Sequence, residues 1–314
     1  MYVEVKTMNY IKTNEIANIW GIKERRIRKL LQDGRIEGAI KKGNVWLIPE
    51  NATKPIDLRE KDETKFVFNI NPEKLKVIDK LKKELDKKRP LNPNTLKSLR
   101  KSNILNWTYH SNGIEGNTLT LRETKVVLEG ITIGGKSINE HLEVINHKDA
   151  ILFLEELVKK DNRLTLMDIR DMHRLILKEI DNVNAGVIRS ENVEISGASH
   201  RPPDYLKVSE DLEKLMIMYK SWNNLHPIIK AGLLHGEFVK IHPFIDGNGR
   251  TSRLLMNFEV MKEGFPPIII KKEKRFDYYE ALDKGATTYD YTDFINILID
   301  LEIEMLTKYL DILK

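Results

Sequence analysis

The sequence predicts a mainly α protein: an all-α helical core with a small β-hairpin flap, preceded by a small winged helix-turn-helix domain. Three observations carry this. Beyond Pro90 the apolar residues recur with the 3.6-residue helical period. Before about residue 55, two short helix-like runs are followed by a hairpin signal. That same segment also holds the whole charge excess. Residues 1–55 contain eleven Lys/Arg against six Asp/Glu, and the rest of the chain holds 41 of each sign. Such asymmetry points to an N-terminal module with a polyanionic partner and a remainder that does something else. The expected domains are 1–55 (winged helix-turn-helix), 56–94 (charged linker and helix) and 95–314 (helical core).

In chain order, residues 13–20 read as a short helix with Thr13 as its cap and Ile16, Ala17, Ile19 and Trp20 as its apolar face. Gly21 turns the chain into a second helix over 23–31. Ile27, Leu30 and Leu31 point inward there, and Arg25, Arg26, Arg28 and Lys29 outward. Residues 40–48 alternate around Gly43-Asn44 as a hairpin, with Lys41 and Lys42 on it. Helix, turn, basic helix and wing form a plausible DNA-reading unit, and the stretch resembles the excisionase and MerR type of winged helix-turn-helix. Residues 50–72 are polar, charged and punctuated by proline, as a linker would be. Helical spacing follows over 75–85, 96–108, 139–159, 165–179, 207–221, 227–240, 251–263 and 291–313. The exception is 190–197, an alternating, strand-like segment ending in turn residues.

The composition excludes several chemistries. The 314 residues include no Cys, so disulfides, thiolate catalysis and Cys-based zinc sites are ruled out. No apolar run approaches a membrane span, and MYVEVKTMNY lacks a signal-peptide core. The expected setting is the cytoplasm, away from membranes.

The densest cluster of chemistry is Ile241-His-Pro-Phe-Ile-Asp-Gly-Asn-Gly-Arg-Thr-Ser-Arg253. It reads as a turn opening a helix, where free backbone N–H groups and the helix dipole form a phosphate cradle. Gly247 and Gly249 permit close backbone approach. Arg250 and Arg253, three apart, project from one face, and guanidinium forks suit phosphate oxygens. Asp246 offers a hard oxygen to Mg²⁺. His242 suits the role of general base, with Asn248 adding to charge stabilisation.

The string matches at every fixed position the signature of the Fic (filamentation-induced-by-cAMP) family, His-Pro-Phe-x-Asp-Gly-Asn-Gly-Arg-x-x-Arg. The resemblance extends over roughly 95–314, through Gly186-Val-Ile-Arg189, Val193–Gly197 and His200-Arg-Pro-Pro203. It implies a protein adenylyltransferase that moves AMP from ATP onto a Tyr, Thr or Ser hydroxyl of a target protein or of itself. His242 would deprotonate the hydroxyl, Phe244 anchor the loop, and Asp246 hold Mg²⁺. Gly247, Asn248, Gly249 and Arg250 would bind the α- and β-phosphates and Arg253 the γ-phosphate. The flap, Val193, Glu194, Ile195, Ser196 and Gly197, would hold the target by strand-type pairing.

Upstream, Ser111-Asn-Gly-Ile-Glu115-Gly116 resembles the family's inhibitory motif, in a helix expected around 101–116. The resemblance implies that Glu115 pairs with Arg253 in place of the γ-phosphate, and it leaves open the removal of AMP by the same Glu. Gly113 is expected to weaken that helix. His235, His242 and Asp246 as a metal trio is the weaker reading, and a buried, hydrogen-bonded His235 the better one. Tyr278, Tyr279 and Leu282 either wall an adenine pocket or make a helix-packing contact. Alternatives to the transferase are a DNA-binding regulator that senses nucleotide, or a transferase of UMP, phosphocholine or phosphate. The N-terminal unit either engages DNA or pairs two copies as a homodimer.

Overall fold

Glu15 caps the first helix from within. Its carboxylate accepts from the Lys12 N–H at 2.9 Å, at the start of α1 (Thr13–Trp20). Thr13, expected as the cap, is the first helical residue instead and donates to Glu24 Oε1 at 2.6 Å, linking α1 to α2 (Glu24–Gln32). β2 (Ile40–Lys42) and β3 (Val45–Pro49) form the expected wing, and β1 (Tyr10–Lys12) adds a strand that went unread. The sheet order is β1-β3-β2, antiparallel throughout, with Ile11 opposite Ile48 and Lys41 opposite Trp46. Ile16, Ile27, Leu30, Leu31, Ile36 and Ile48 are its buried core.

This is a computed structural model, and it describes residues 9–43, 45–52, 54–55, 66–160 and 163–314. The chain divides into two compact units, Met1–Lys61 and Asp62–Lys314. Asn44 and much of the expected linker lie outside the described residues. The linker reading fails from residue 66 onward. Phe66, Phe68 and Ile70 pack against the core of the second unit, with the Phe66 ring edge-on to Trp222 at 5.6 Å. Val67 also exchanges backbone hydrogen bonds with Tyr289 and Tyr291. Three apolar side chains on alternate residues outweigh a polar average.

The second unit is helical: α3 (Pro72–Lys87), α4 (Pro93–Ile114), α5 (Leu121–Leu128), α6 (Ile138–Lys159), α7 (Leu166–Leu177) and α8 (Tyr205–Ser221), then α9 (Pro227–Ile241), α10 (Asn248–Lys262), α11 (Arg275–Thr288) and α12 (Thr292–Ile312). α9 and α10 pack on each other at the centre. Around them α10 meets α4, α6 and α7, while α9 meets α8, α11 and α12. Phe238, Phe244, Leu254, Leu255, Met256 and Phe258 are buried there. α5 and α11 lie outside the helices expected from the apolar period, although Thr120 with Glu123 forms a capping box legible before α5. α4 joins the two stretches expected separately, 96–108 and 101–116, into one helix that runs through Gly113. That glycine packs against another segment, since a Cβ on it would come within 2.7 Å of Lys272 Cδ. Lost helix propensity is exchanged for close contact.

One expectation is overturned. Residues 190–197 form no strand and no hairpin; among the described residues the strands lie in the N-terminal unit. The alternation is real, with Val193 and Ile195 half-buried and Glu194 and Ser196 exposed. The segment bends at its start, closes in a turn where Ala198 N–H meets Ile195 O, and belongs to no ladder among the described residues; a ladder needs two strands. No helix among the described residues is long and apolar enough to cross a membrane.

Candidate active site

The junction of α9 and α10 builds the site. His242 caps α9 in left-handed backbone, φ 51° and ψ 61°, which is uncommon for a non-glycine and turns the chain sharply into the loop. Gly247, φ 76°, turns it again so that α10 begins at Asn248, three residues before the periodicity suggests. Phe244 lies fully buried between these turns, stacked on His173 with ring centroids 3.6 Å apart.

Asn248 has a different task from the one the sequence suggests. Its Oδ1 accepts from Phe244 N–H at 3.0 Å and its Nδ2 donates to Phe244 O at 2.8 Å. Both ends of the carboxamide clamp the loop, with one Nδ2 hydrogen left over, and the backbone N–H of Asn248 is available to an anion. With those of Gly249 and Arg250 it makes up the first turn of α10, whose N–H groups have no carbonyl a turn below them. The first intrahelical bond runs from Thr251 N–H to Gly247 O.

Two arginines flank this turn, both almost fully buried. Arg250 donates to Asp246 Oδ2 at 3.0 Å and to Glu143 Oε1 at 3.4 Å, while its buried Nε has no partner among the described residues. Arg253 donates through Nε to Ser111 Oγ at 3.0 Å, and through Nη2 to Ser111 O at 2.9 Å and Glu115 Oε1 at 2.7 Å. Burial by itself would lower the Arg253 pKa, but Glu115 and Tyr278 together offset it and the net shift is upward. Glu115 also stands over the cradle, since a Cβ on Gly249 would overlap its Oε1. Arg253 Nη1 further reaches Tyr278 OH at 3.4 Å, and Tyr278 in turn contacts His235 Nε2 at 2.9 Å.

Tyr278 is thus a buried support for Arg253, and burial raises its pKa. Tyr279 donates to Ile114 O at 3.1 Å, at the end of the helix that bears Glu115. His235 is fully buried, which with nearby Arg253 lowers its pKa to about 3. No group of three or more potential ligands among the described residues is arranged to hold a metal ion. Asp246, with its side chain largely exposed beside Arg250, remains a lone carboxylate that suits Mg²⁺ only in company with phosphate oxygens.

His242 Nδ1 faces Val239 O at 3.3 Å. A carbonyl only accepts, so the proton belongs on Nδ1 and Nε2 keeps a lone pair. Burial chiefly lowers the His242 pKa, the Val239 contact opposing, so the ring is neutral near pH 7. The loop is fixed from behind by three residues the sequence reading did not assign. Arg189 donates to His242 O at 2.8 Å, Glu191 O at 2.9 Å and Pro203 O at 2.6 Å, tying both ends of the 190–203 segment to the loop. His173 accepts from Gly186 N–H and donates to Asp246 O, each at 2.8 Å; its burial lowers the pKa to about 4. Glu143 receives Asn117 Nδ2 at 2.7 Å on one oxygen and Arg250 on the other. Only the quoted Gly186-Val-Ile-Arg189 string could have signalled any of these.

Comparison with known proteins agrees with this geometry. Residues 163–260 match the model of the Fic/DOC family. The chain is 40% identical over 222 residues to the protein adenylyltransferase Fic of Drosophila grimshawi, covering 68% of this chain and 44% of that protein. The Aedes aegypti protein of the same name is 40% identical over 223 residues, covering 68% and 43%. The chain therefore spans less than half the length of these curated relatives. Among solved structures, Fic-1 of C. elegans superposes with a TM-score of 0.69 at 34% identity, covering 76% of this chain and 72% of that one. A Fic domain containing signaling protein from Bacteroides thetaiotaomicron gives 0.71 at 29% identity, covering 75% and 96%. With the signature segment intact and folded around a buried Phe244, this chain belongs to the Fic/DOC family.

Proposed function

We propose that this protein transfers AMP from ATP to a Tyr, Thr or Ser hydroxyl of a target protein or of itself, and that Glu115 holds it inactive. The observation that carries the reading is one neutral imidazole, His242, with Nε2 free to accept a proton, beside a helix N-terminus and two buried arginines. The nucleotide's phosphates lie on the α10 N–H groups, Arg250 and Arg253. The target hydroxyl attacks the α-phosphorus in line with the departing pyrophosphate. A new P–O bond to the target forms as the bond to the β-phosphate oxygen breaks, and the hydroxyl proton goes to His242 Nε2. Asp246 would hold Mg²⁺, which supplies neutralisation of phosphate charge. The flap, with Glu194 and Ser196 outward and no ladder partner among the described residues, suits pairing with a target backbone.

Inhibition follows from electrostatics and space. Glu115 engages the Arg253 guanidinium and covers Gly249, so a phosphate bound there meets both a negative charge and an occupied volume. ATP then binds in a pose unfit for in-line attack. The named relatives favour AMP over other donors. Incorporation from ATP labelled at the α-phosphate tests the reading. Glu115→Gly is expected to raise labelling, and Glu115→Gly with His242→Ala to abolish it. Equal labelling of those two variants would sink the role of His242. Labelling from CDP-choline or UTP but not ATP would move the reading to another donor.

A second reading concerns residues 9–52, where helix, turn, helix and wing favour DNA as a partner. Arg25, Arg28, Lys29, Lys41 and Lys42 are exposed on α2 and β2, and Arg26 is half-exposed. On this reading the unit brings the transferase to DNA within the cytoplasm, or regulates its own gene.

A further inference from the structure

Glu115 stands at the end of a helix, and helix ends fray. α4 stops at Ile114, and Glu115 is its C-cap. Gly116 follows at φ 101°, a positive value that glycine tolerates. Its N–H donates to Gly113 O at 3.3 Å, and Asn117 N–H donates to Asn112 O at 3.1 Å. Those bonds are the pair that defines a Schellman cap. Such a cap commonly has an apolar contact between the residue beyond the glycine and the residue that takes its N–H. Here these positions are Asn117 and Asn112, both polar and both buried.

Each turns its carboxamide to α6. Asn112 Nδ2 donates to Glu143 O at 3.2 Å. Asn117 Nδ2 donates to Glu140 O at 3.1 Å and to Glu143 Oε2 at 2.7 Å, while its Oδ1 accepts from Leu119 N–H at 3.0 Å. The cap is thus fastened to α6 from both positions. Asn117 makes the stronger attachment, because one of its acceptors is a carboxylate. The other oxygen of that carboxylate receives Arg250. The last turn of α4 needs such support: Gly113 lowers its helix propensity, and the Glu115 side chain is 31% exposed. A cap free to fray would carry the carboxylate off Arg253.

We propose that Asn117 is a positioning residue, which by fastening the cap to α6 holds the Glu115 carboxylate on Arg253 and over Gly249. Its effect on nucleotide rests on the reading of Glu115 as a brake, given above. Cutting the attachment loosens the brake without altering a residue of the phosphate cradle.

Calorimetric titration of the full chain with α,β-methylene-ATP and Mg²⁺, a nucleotide that cannot release AMP, separates the brake from its fastening. Glu115→Gly is expected to bind it more tightly than wild type; equal affinity would sink the brake and the role of Asn117 with it. Asn117→Ala is expected to tighten binding by about three- to tenfold while Glu115 is present, as for loss of one hydrogen bond. In the Glu115→Gly background the same change should leave affinity within about twofold, the ordinary scatter of additive changes. Asn117→Asp keeps the shape and the acceptor for Leu119 but sets a carboxylate against Glu143. It should therefore release the brake at least as far as Asn117→Ala. Melting curves establish that each variant is folded at the titration temperature. Wild-type affinity in both Asn117 variants, with Glu115→Gly binding more tightly, would overturn the positioning role and leave the brake standing. An equal shift with and without Glu115 would also overturn it, since Asn117 would then act elsewhere. Release by alanine but not by aspartate would overturn it too, because lost volume rather than lost fastening would be the cause.

Discussion

The carboxylate of Glu115 occupies the space where a side chain on Gly249 would begin. The missing Cβ of Gly249 lets a carboxylate from a different helix settle on the start of α10. The atom in the way is the end of a flexible side chain, so Gly249→Ala should displace Glu115 rather than unfold the helix. The expected cost is about 1–3 kcal/mol of stability. Removing Glu115 should relieve part of it, giving a coupling energy of about 1 kcal/mol in a double-mutant cycle read by denaturant unfolding. Strict additivity of the two changes would mean that the contact carries no energy.

Tyr278 connects Arg253 to His235 through a single hydroxyl. Tyr278→Phe keeps the ring and leaves both buried partners short of a hydrogen bond, at a cost of about 1–3 kcal/mol. The released enzyme, Glu115→Gly, should then show weaker ATP binding, since Arg253 loses its support from behind. Unaltered stability and unaltered KM for ATP would show the contact to be incidental.

Acid should act on the fold before it acts on surface charge. His173 and His235 have pKa values lowered by burial to about 4 and about 3. Between the unfolded value of 6.5 and those folded values the unfolded chain binds more protons, so stability is complete above pH 6.5 and falls as pH drops below it. For His173 the full span is worth about 3 kcal/mol. A melting temperature flat from pH 7 down to 4.5 would contradict this. The lowered pKa of His242 likewise predicts an acid limb in kcat/KM below pH 6.5 for Glu115→Gly.

Binding of duplex DNA is expected to weaken steeply with salt, with a log–log slope of about −0.9 per phosphate neutralised. On α2, Arg28 is engaged by Glu24 at 2.9 Å and Lys29 by Asp33 at 3.0 Å. Arg25→Ala with Lys41→Ala should therefore reduce the slope by about 1–2. A gel-shift titration with no difference between this variant and wild type would remove those residues from the interface.

The signature segment was legible because its chemistry is local. His242, Asp246, Arg250 and Arg253 are brought together by one turn and one helix, whose geometry follows from Pro243, Gly247 and the apolar period behind them. Asn248 shows the limit of that reading. Residue type and position mark a phosphate ligand, but the side chain also meets the Phe244 backbone and holds the loop there. The flap shows another limit: alternation says which side chains turn inward, and only a neighbouring strand makes a sheet. Arg189 and His173 went unassigned because each works through backbone carbonyls 53 and 73 residues away, which no periodicity records.

By itself, then, the sequence determined the helical class, the basic N-terminal module and the residues of the α9–α10 turn, since propensity, period and short-range spacing act within a few residues. Tertiary structure decided that Glu115 meets Arg253 across 138 positions, that Tyr278 backs it, and that Asn117 fastens the end of the same helix to α6. Those depend on which helix faces pack together, and burial chooses among faces only when the whole chain is folded.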